Sequence, residues 1–308
     1  MPIMFSPIAL FASAILMGLA QQPLGLGWFA WFSLIPLLFV LNRIEKNKHY
    51  FLVGFIWGFT YYLIVIFWLA NNIGTSPFIG FISMISAVLY CSINFIIISF
   101  MVKILKTFFT SKWYWYFPLL FVSVEYFRAM DILTGGPWTS IANTQSNFLL
   151  LIQNVEITGI YGISFWIVLI NVLLYNFLLF PYKENIIKFL VIFILPWITG
   201  EFLKERIFLE KTKDLEIAIV QPNIHLSQKW KKNAIQENIQ LLLNESEKAI
   251  NNNVDLILWP ETATSGYILQ GNDYYLNLIS NSLNNSKLIT GIPYFSDIGL
   301  NRKYFNVR

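Results

Sequence analysis

Glu261 stands in the stretch "LILWPETATSGYIL", where Leu256, Ile257 and Leu258 form an apolar run of the kind a buried strand needs and a carboxylate follows Trp259 and Pro260. A carboxylate held at the end of a strand can take a proton from a nucleophile or an amine, provided that it is aimed. Pro260 fixes its own φ and drives Trp259 into an extended conformation, so the strand ends stiffly and Glu261 has a rigid mount. A helix cap or a solvated loop charge is the commoner fate of an acidic residue after a strand, and spacing alone leaves both readings open.

Few other residues offer chemistry. Glu125 and Arg128 are three apart and share a helix face, where they can pair; they fit either a structural pair at headgroup level or a site for a lipid donor. Trp230 follows "SQK" at a helix start and reads as a packing residue. Ser265 has neither the flanking glycines of a nucleophile elbow nor a histidine to serve it. His49 and His225 have no partner at metal-ligand spacing, no Gly-rich phosphate loop occurs, and no cofactor or metal is expected. Cys91, the single cysteine, lies within "AVLYCSINFIII", which excludes an intrachain disulfide.

The elements that must position these residues are of two kinds. Of 308 residues 56% are hydrophobic and only 12% charged, against roughly 25% charged in soluble domains, so the chain reads as a membrane protein. Seven apolar stretches approach the ~20 residues of a membrane-spanning helix: Ile3 to Ala20, Leu26 to Leu41, Tyr50 to Ala70, Phe78 to Val102, Trp113 to Phe127, Ile157 to Phe180 and Ile186 to Leu203. Basic residues fall after the second, fourth and sixth (Arg43, Lys46, Lys48; Lys103, Lys106, Lys112; Lys183, Lys188), which places those loops and the amino terminus in the cytoplasm and everything after Leu203 outside. "TGGPWTS", in the long loop after the fifth stretch, reads as an interfacial turn with a Trp anchor.

From Asp214 the pattern becomes that of a soluble α/β unit. "LEIAIVQ", "VDLILWP" and "KLITGIP" read as strands, and "KWKKNAIQENIQLLLNESEKAI" carries Ile235, Ile239, Leu242, Leu243 and Ile250 at helical spacing. A strand, a helix and a strand of these lengths make a parallel crossover, and sites in such sheets gather at the carboxyl ends of the strands, where Glu261 lies. The domains expected are a transmembrane helical part, 1–203, and a partial α/β part, 204–308.

Together "GFIWGFTYYLIVIFWL" (54–69), "VEYFRAMDILTGGPW" (124–138), "IVQPNIHLSQKW" (219–230), "LILWPET" (256–262) and "RKYFN" (302–306) resemble, in order and spacing, the apolipoprotein N-acyltransferases of bacterial inner membranes. The resemblance implies a nitrilase-like αββα sandwich held on the periplasmic side. It also implies ping-pong acyl transfer from a phospholipid, through a cysteine thioester, to the amino terminus of a diacylglyceryl-cysteine lipoprotein. Glu261 matches the base of the family's Glu, Lys, Cys triad, and Trp230 matches a position near the site entrance. Lys303 and Cys91 match neither remaining triad member, since both family positions fall beyond the "RKYFN" stretch. The expectation is therefore a truncated chain, inactive alone, that a separate C-terminal fragment would complete. A multispan transporter and a non-catalytic membrane scaffold are the alternatives; nucleic acid is not an expected partner.

Overall fold

Long apolar stretches must satisfy their own backbone, and in the computed structural model the regular elements among the described residues of the amino-terminal unit are all helices. The structure describes residues 7–130, 138–205, 214–231, 234–252, 254–270, 273–283, 286–298 and 301–307. The chain divides into two units, Met1–Phe208 and Leu209–Arg308.

In the first unit α1 (Pro7–Ala20) leads through a 3-10 turn (Gly27–Trp31) into α2 (Ile35–Arg43), and α3 (Asn47–Val65) leads through Phe67–Asn71 into α4 (Pro77–Phe109). A 3-10 stretch, Thr110–Tyr116, joins α4 to α5 (Phe117–Ala129). Another, Ile141–Gln145, and the single turn α6 (Leu149–Ile152) precede α7 (Val155–Leu179) and α8 (Lys183–Glu205).

Three stretches among the described residues are long and apolar enough to cross a membrane by length and composition: Pro77–Ala129, Val155–Leu179 and Lys183–Glu205. The seven spans expected do not return as seven such helices, because several are interrupted. The stretch Leu26 to Leu41 is a 3-10 turn followed by a nine-residue helix. The regular helix of the fifth is the 13-residue α5, which starts inside that stretch and runs just past its end, about 20 Å at 1.5 Å per residue, against ~30 Å of hydrocarbon. In α7 Gly159 takes φ 65°, a left-handed conformation suited to glycine, so regular helix resumes only beyond it.

Broken backbone among apolar helices needs polar side chains to complete its hydrogen bonds, and Asn171 does this for α2. Its Nδ2 donates to the carbonyls of Ala30 (2.7 Å) and Ile167 (2.8 Å), and its Oδ1 accepts from the Leu34 amide at 2.9 Å. The basic residues read as loop charges are mostly helical: Lys103 and Lys106 end α4, and Lys183 and Lys188 begin α8. Lys106 Nζ donates to the carbonyls of Leu41 (3.0 Å), Asn42 (3.0 Å) and Ile44 (2.8 Å), where α2 ends with unsatisfied oxygens and a negative dipole. Lys106→Met should therefore lower the stability of the folded chain by roughly 1–3 kcal/mol, read as a lower midpoint of thermal unfolding in detergent.

Helices α3 and α4 lie backbone to backbone at Gly54 and Gly58, four residues apart. A Cβ at Gly54 would lie 2.5 Å from the Phe95 carbonyl oxygen, and one at Gly58 would lie 3.1 Å from the Ser92 Cα. Backbone contact this close is the signature of small residues between membrane helices. Beside it Trp57 is fully buried, stacked on Tyr61 at 5.2 Å, with Nε1 donating to Ser13 Oγ at 2.9 Å.

In the second unit three short parallel strands, β1 (Ile217–Ile219), β2 (Leu256–Leu258) and β3 (Lys287–Ile289), lie in sequential order. Ile257 pairs with Ala218 on one side and Leu288 on the other. Between β1 and β2 run the short α9 (Leu226–Lys229) and the amphipathic α10 (Ala234–Asn251), whose Ile239, Leu242, Leu243 and Ile250 bury against Ile257 and Trp259. Helix α11 (Asp273–Ser282) connects β2 to β3, and β4 (Ile292–Ile298) pairs antiparallel with β5 (Asn301–Val307). Two expectations are corrected. "KLITGIP" is not one strand, because the chain leaves the sheet at Thr290 and Gly291 and begins a hairpin at Ile292. The helix expected over 229–250 is two, and Trp230 ends the first of them (φ −113°, ψ 16°) rather than starting the second.

Candidate active site

The pedestal under Glu261 is built from the far end of β2. Trp259 is 5% exposed, its indole Nε1 donates to Ser246 Oγ of α10 at 2.9 Å, and its amide continues the ladder to the Ile289 carbonyl at 2.9 Å. Pro260 has no amide to offer, and pairing resumes only at Ala263, whose N–H reaches the Gly291 carbonyl at 3.1 Å. Glu261 and Thr262 therefore bulge out between two anchored points, with Thr262 in the left-handed region at φ 53°. Glu261 is exposed at the tip of this turn, beyond the carboxyl end of the middle strand.

Gly291 is the residue that sequence reasoning passed over. A Cβ there would stand 2.9 Å from the Glu261 Cα and 3.2 Å from the Thr262 amide nitrogen. Its only sequence signal is a glycine directly after a strand. Gly291→Ala should push the turn outward, cost about 1–3 kcal/mol, and speed hydrogen exchange at the Ala263 amide; unchanged exchange there would show that the turn does not depend on this contact.

Trp230 is 56% exposed, with Lys229 Nζ 5.9 Å from its ring centroid. Ser265, at φ 54°, accepts a hydrogen bond from Asn238 Nδ2, which also donates to the Lys229 carbonyl at 3.2 Å. Asn238 thereby ties α9 to the turn that follows Glu261. His225 caps α9 by accepting from the Ser227 amide at 3.3 Å, and among the described residues no group of three or more His, Cys, Asp or Glu is placed to hold a metal. For Lys303 the structure describes backbone only, paired with Ser296.

Arg128 belongs to the first unit, in a cluster whose polar residues have the composition of a loop. Residues 131–137 lie outside the described residues, including most of "TGGPWTS"; Trp138 is exposed, but Ser140, Thr144 and Gln145 are fully buried. Their irregular backbone is held from several helices. Gln21 Nε2 donates to the Ser140 carbonyl at 3.1 Å, Tyr61 OH to the Thr139 carbonyl at 3.2 Å, and Gln145 Nε2 to the Gly27 carbonyl at 3.1 Å. Glu125 Oε1 accepts from the Ile141 amide at 2.9 Å, and Arg128 Nη1 donates to Thr139 Oγ1. Glu125 and Arg128 form no ion pair with each other; the one among the described residues is Glu201–Lys204, at 3.7 Å. Each is instead recruited to the segment after α5. A small cavity of about 20 Å³ remains beside them. Cys91 is buried, 6% exposed, on α4.

These two units align with separate known sequence families. Residues 13–173 match the apolipoprotein N-acyltransferase N-terminal domain, and residues 216–290 match carbon-nitrogen hydrolase. Among similar proteins, the apolipoprotein N-acyltransferase of Geobacter metallireducens is 30% identical over 96% of this chain and 58% of its own length. That of Chlorobaculum tepidum is 26% identical over 86% of this chain and 50% of its own. Apolipoprotein N-acyltransferase 1 of Treponema denticola is 31% identical over 65% of this chain and 37% of its own. The chain spans about half the length of these relatives. The N-terminal match alone covers more than half of the 308 residues, with the hydrolase-type stretch following in order: the chain belongs to the apolipoprotein N-acyltransferase family.

Proposed function

We propose that this chain supplies the membrane unit and the general base for transfer of an acyl chain from a phospholipid to the amino-terminal amine of a diacylglyceryl-cysteine in lipoproteins. The observation that carries the reading is Glu261, exposed on a two-point turn at the carboxyl end of the middle parallel strand inside the hydrolase-type stretch. There a carboxylate reaches an incoming group without being buried, and a base must come within hydrogen-bond reach of the proton it removes. Its task would be to deprotonate a cysteine nucleophile and then the amine.

The same proposal places the protein in a bacterial inner membrane with up to seven crossings, the amino terminus cytoplasmic and the α/β unit periplasmic as part of an αββα sandwich. Trp230 is the proposed contact for substrate near Glu261, and Arg128 a proposed lipid contact in the membrane unit. No cofactor enters the scheme. The nucleophilic sulfur does not come from Cys91, which is buried on α4. The proposal is therefore that these 308 residues act together with a segment bearing the lysine and cysteine, whether joined or separate.

The test incubates a phospholipid and a diacylglyceryl lipopeptide with the chain alone, and with the chain joined to the remaining carboxyl-terminal part of the Geobacter relative. The expected result is a mass gain of one acyl chain on the lipopeptide amine in the second case only. No gain in either case, with both proteins folded, overturns the proposal.

A further inference from the structure

Strands β1 and β2 run side by side and end level. Ile219 pairs with Leu258, and the Val220 amide closes the ladder on the Leu258 carbonyl at 2.9 Å. Glu261 follows three residues after Leu258. The backbone leaving β1 turns at Asn223, which takes φ 50° while its Oδ1 accepts from Gln221 Nε2 at 3.1 Å. That turn, the α9 segment and the first turns of α10 border a groove of about 300 Å³, lined by Asn223, Ile224, Gln228, Lys231, Glu237 and Asn238. Neighbouring strands lie about 4.8 Å apart, so the groove starts one strand away from the Glu261 turn. Asn238 joins the two by donating to Ser265 Oγ.

We propose, resting on the acyl-transfer reading, that this groove receives the peptide that follows the lipidated cysteine of the acceptor. Asn223 and Gln228 are exposed on its walls. Each side-chain amide offers both a donor and an acceptor, which is what the alternating N–H and C=O groups of an extended peptide need. An acyl chain in the groove would instead leave those amides unpaired. Glu237 opposes a phosphate or a carboxylate ligand and Lys231 opposes a cation, since like charges brought together cost affinity. What fits both is a neutral backbone. With the amine of the acceptor at Glu261 and a rise of about 3.3 Å per extended residue, the residues just after the cysteine reach the groove one strand away. Lys231 and Glu237 offset each other, so the groove has no net preference for acidic or basic peptides.

The full chain in nanodiscs is irradiated with a diacylglyceryl lipopeptide carrying benzoylphenylalanine shortly after its cysteine, and crosslinks are mapped by mass spectrometry. Binding is read without turnover: crosslinks in place without acyl transfer by the joined protein count against the reaction alone, and transfer with crosslinks elsewhere counts against the groove alone. Crosslinks are expected within residues 222–241, displaced about tenfold less well by a diacylglyceryl-cysteine that has no peptide. Lipopeptides with two acidic or two basic residues after the cysteine should displace the probe within about threefold of each other in the native chain. In Glu237→Lys the acidic one should win by about tenfold, because the wall then carries two cations. Asn223→Gly keeps the left-handed turn and removes its amide; it should lower crosslinking about fivefold, and it keeps the result readable if Glu237→Lys does not fold. Crosslinks outside the groove, or full displacement by the peptide-free lipid, overturn the proposal. So does equal displacement by the two lipopeptides in Glu237→Lys, or unchanged crosslinking in Asn223→Gly.

Discussion

Gly54→Leu is expected to abolish recovery of folded membrane unit. The Cβ alone would stand 2.5 Å from the Phe95 carbonyl oxygen and 2.6 Å from the Ile96 Cα. Those atoms are helix backbone and cannot rotate away as a side chain tip would, so α3 and α4 must separate. Separation also strips contact from Trp57, whose ring centroid lies 4.2 Å from that of Phe95. Overpacking a core ordinarily costs about 1–3 kcal/mol; here the loss of the surrounding interface is added, and folded proteins have only about 5–15 kcal/mol in hand. The measurement is the yield of monodisperse protein after detergent extraction. Gly54→Ala should keep some of it and Gly54→Leu almost none, while Phe51→Leu, at an exposed position on the same helix, should change little. A normal yield of Gly54→Leu would mean that the two helices do not meet as described.

How much of this was legible in the residues differs by element. The strand at Leu256–Leu258 and its rigid end at Pro260 could be read directly, because an uninterrupted apolar run followed by proline has one economical backbone. The GxxxG spacing of Gly54 and Gly58 was equally present, although its meaning needs a partner helix that local pattern does not name. The burial of Ser140, Thr144 and Gln145 was not legible, for a physical reason. A polar run between apolar stretches has the composition of a solvated loop, yet here these three are buried and satisfied by the Gly27 carbonyl, the Ser164 hydroxyl and one another's segment. Asn171, one of the few polar residues within the apolar stretches, gave no sign in the sequence of the partners it finds at Ala30 and Leu34. At the candidate site, the strand placed Glu261 at its carboxyl end but left cap, loop charge and base open until the family resemblance was added, whereas Gly291, Ser246 and Asn238 act across distances of 13 to 30 residues and left only residue types as a trace.

Glu261→Gln carries the largest effect expected on chemistry. The amide keeps the shape of the carboxylate and the anchors at Trp259 and Ala263, so the turn and the unit around it should fold as before. What it loses is the ability to take a proton, and general base catalysis is worth about 10²–10⁴-fold in rate. A structural role for Glu261 as a cap or loop charge would instead move stability by at most about 1–2 kcal/mol and leave turnover of the folded fraction alone. The deciding measurement is the initial rate of acyl transfer to the lipopeptide amine by the chain joined to the carboxyl-terminal part of the Geobacter relative, with and without the Glu261→Gln substitution, at matched amounts of folded protein. A fall of about 100-fold or more is predicted; rates within about twofold of each other would contradict the assignment of Glu261 as the base.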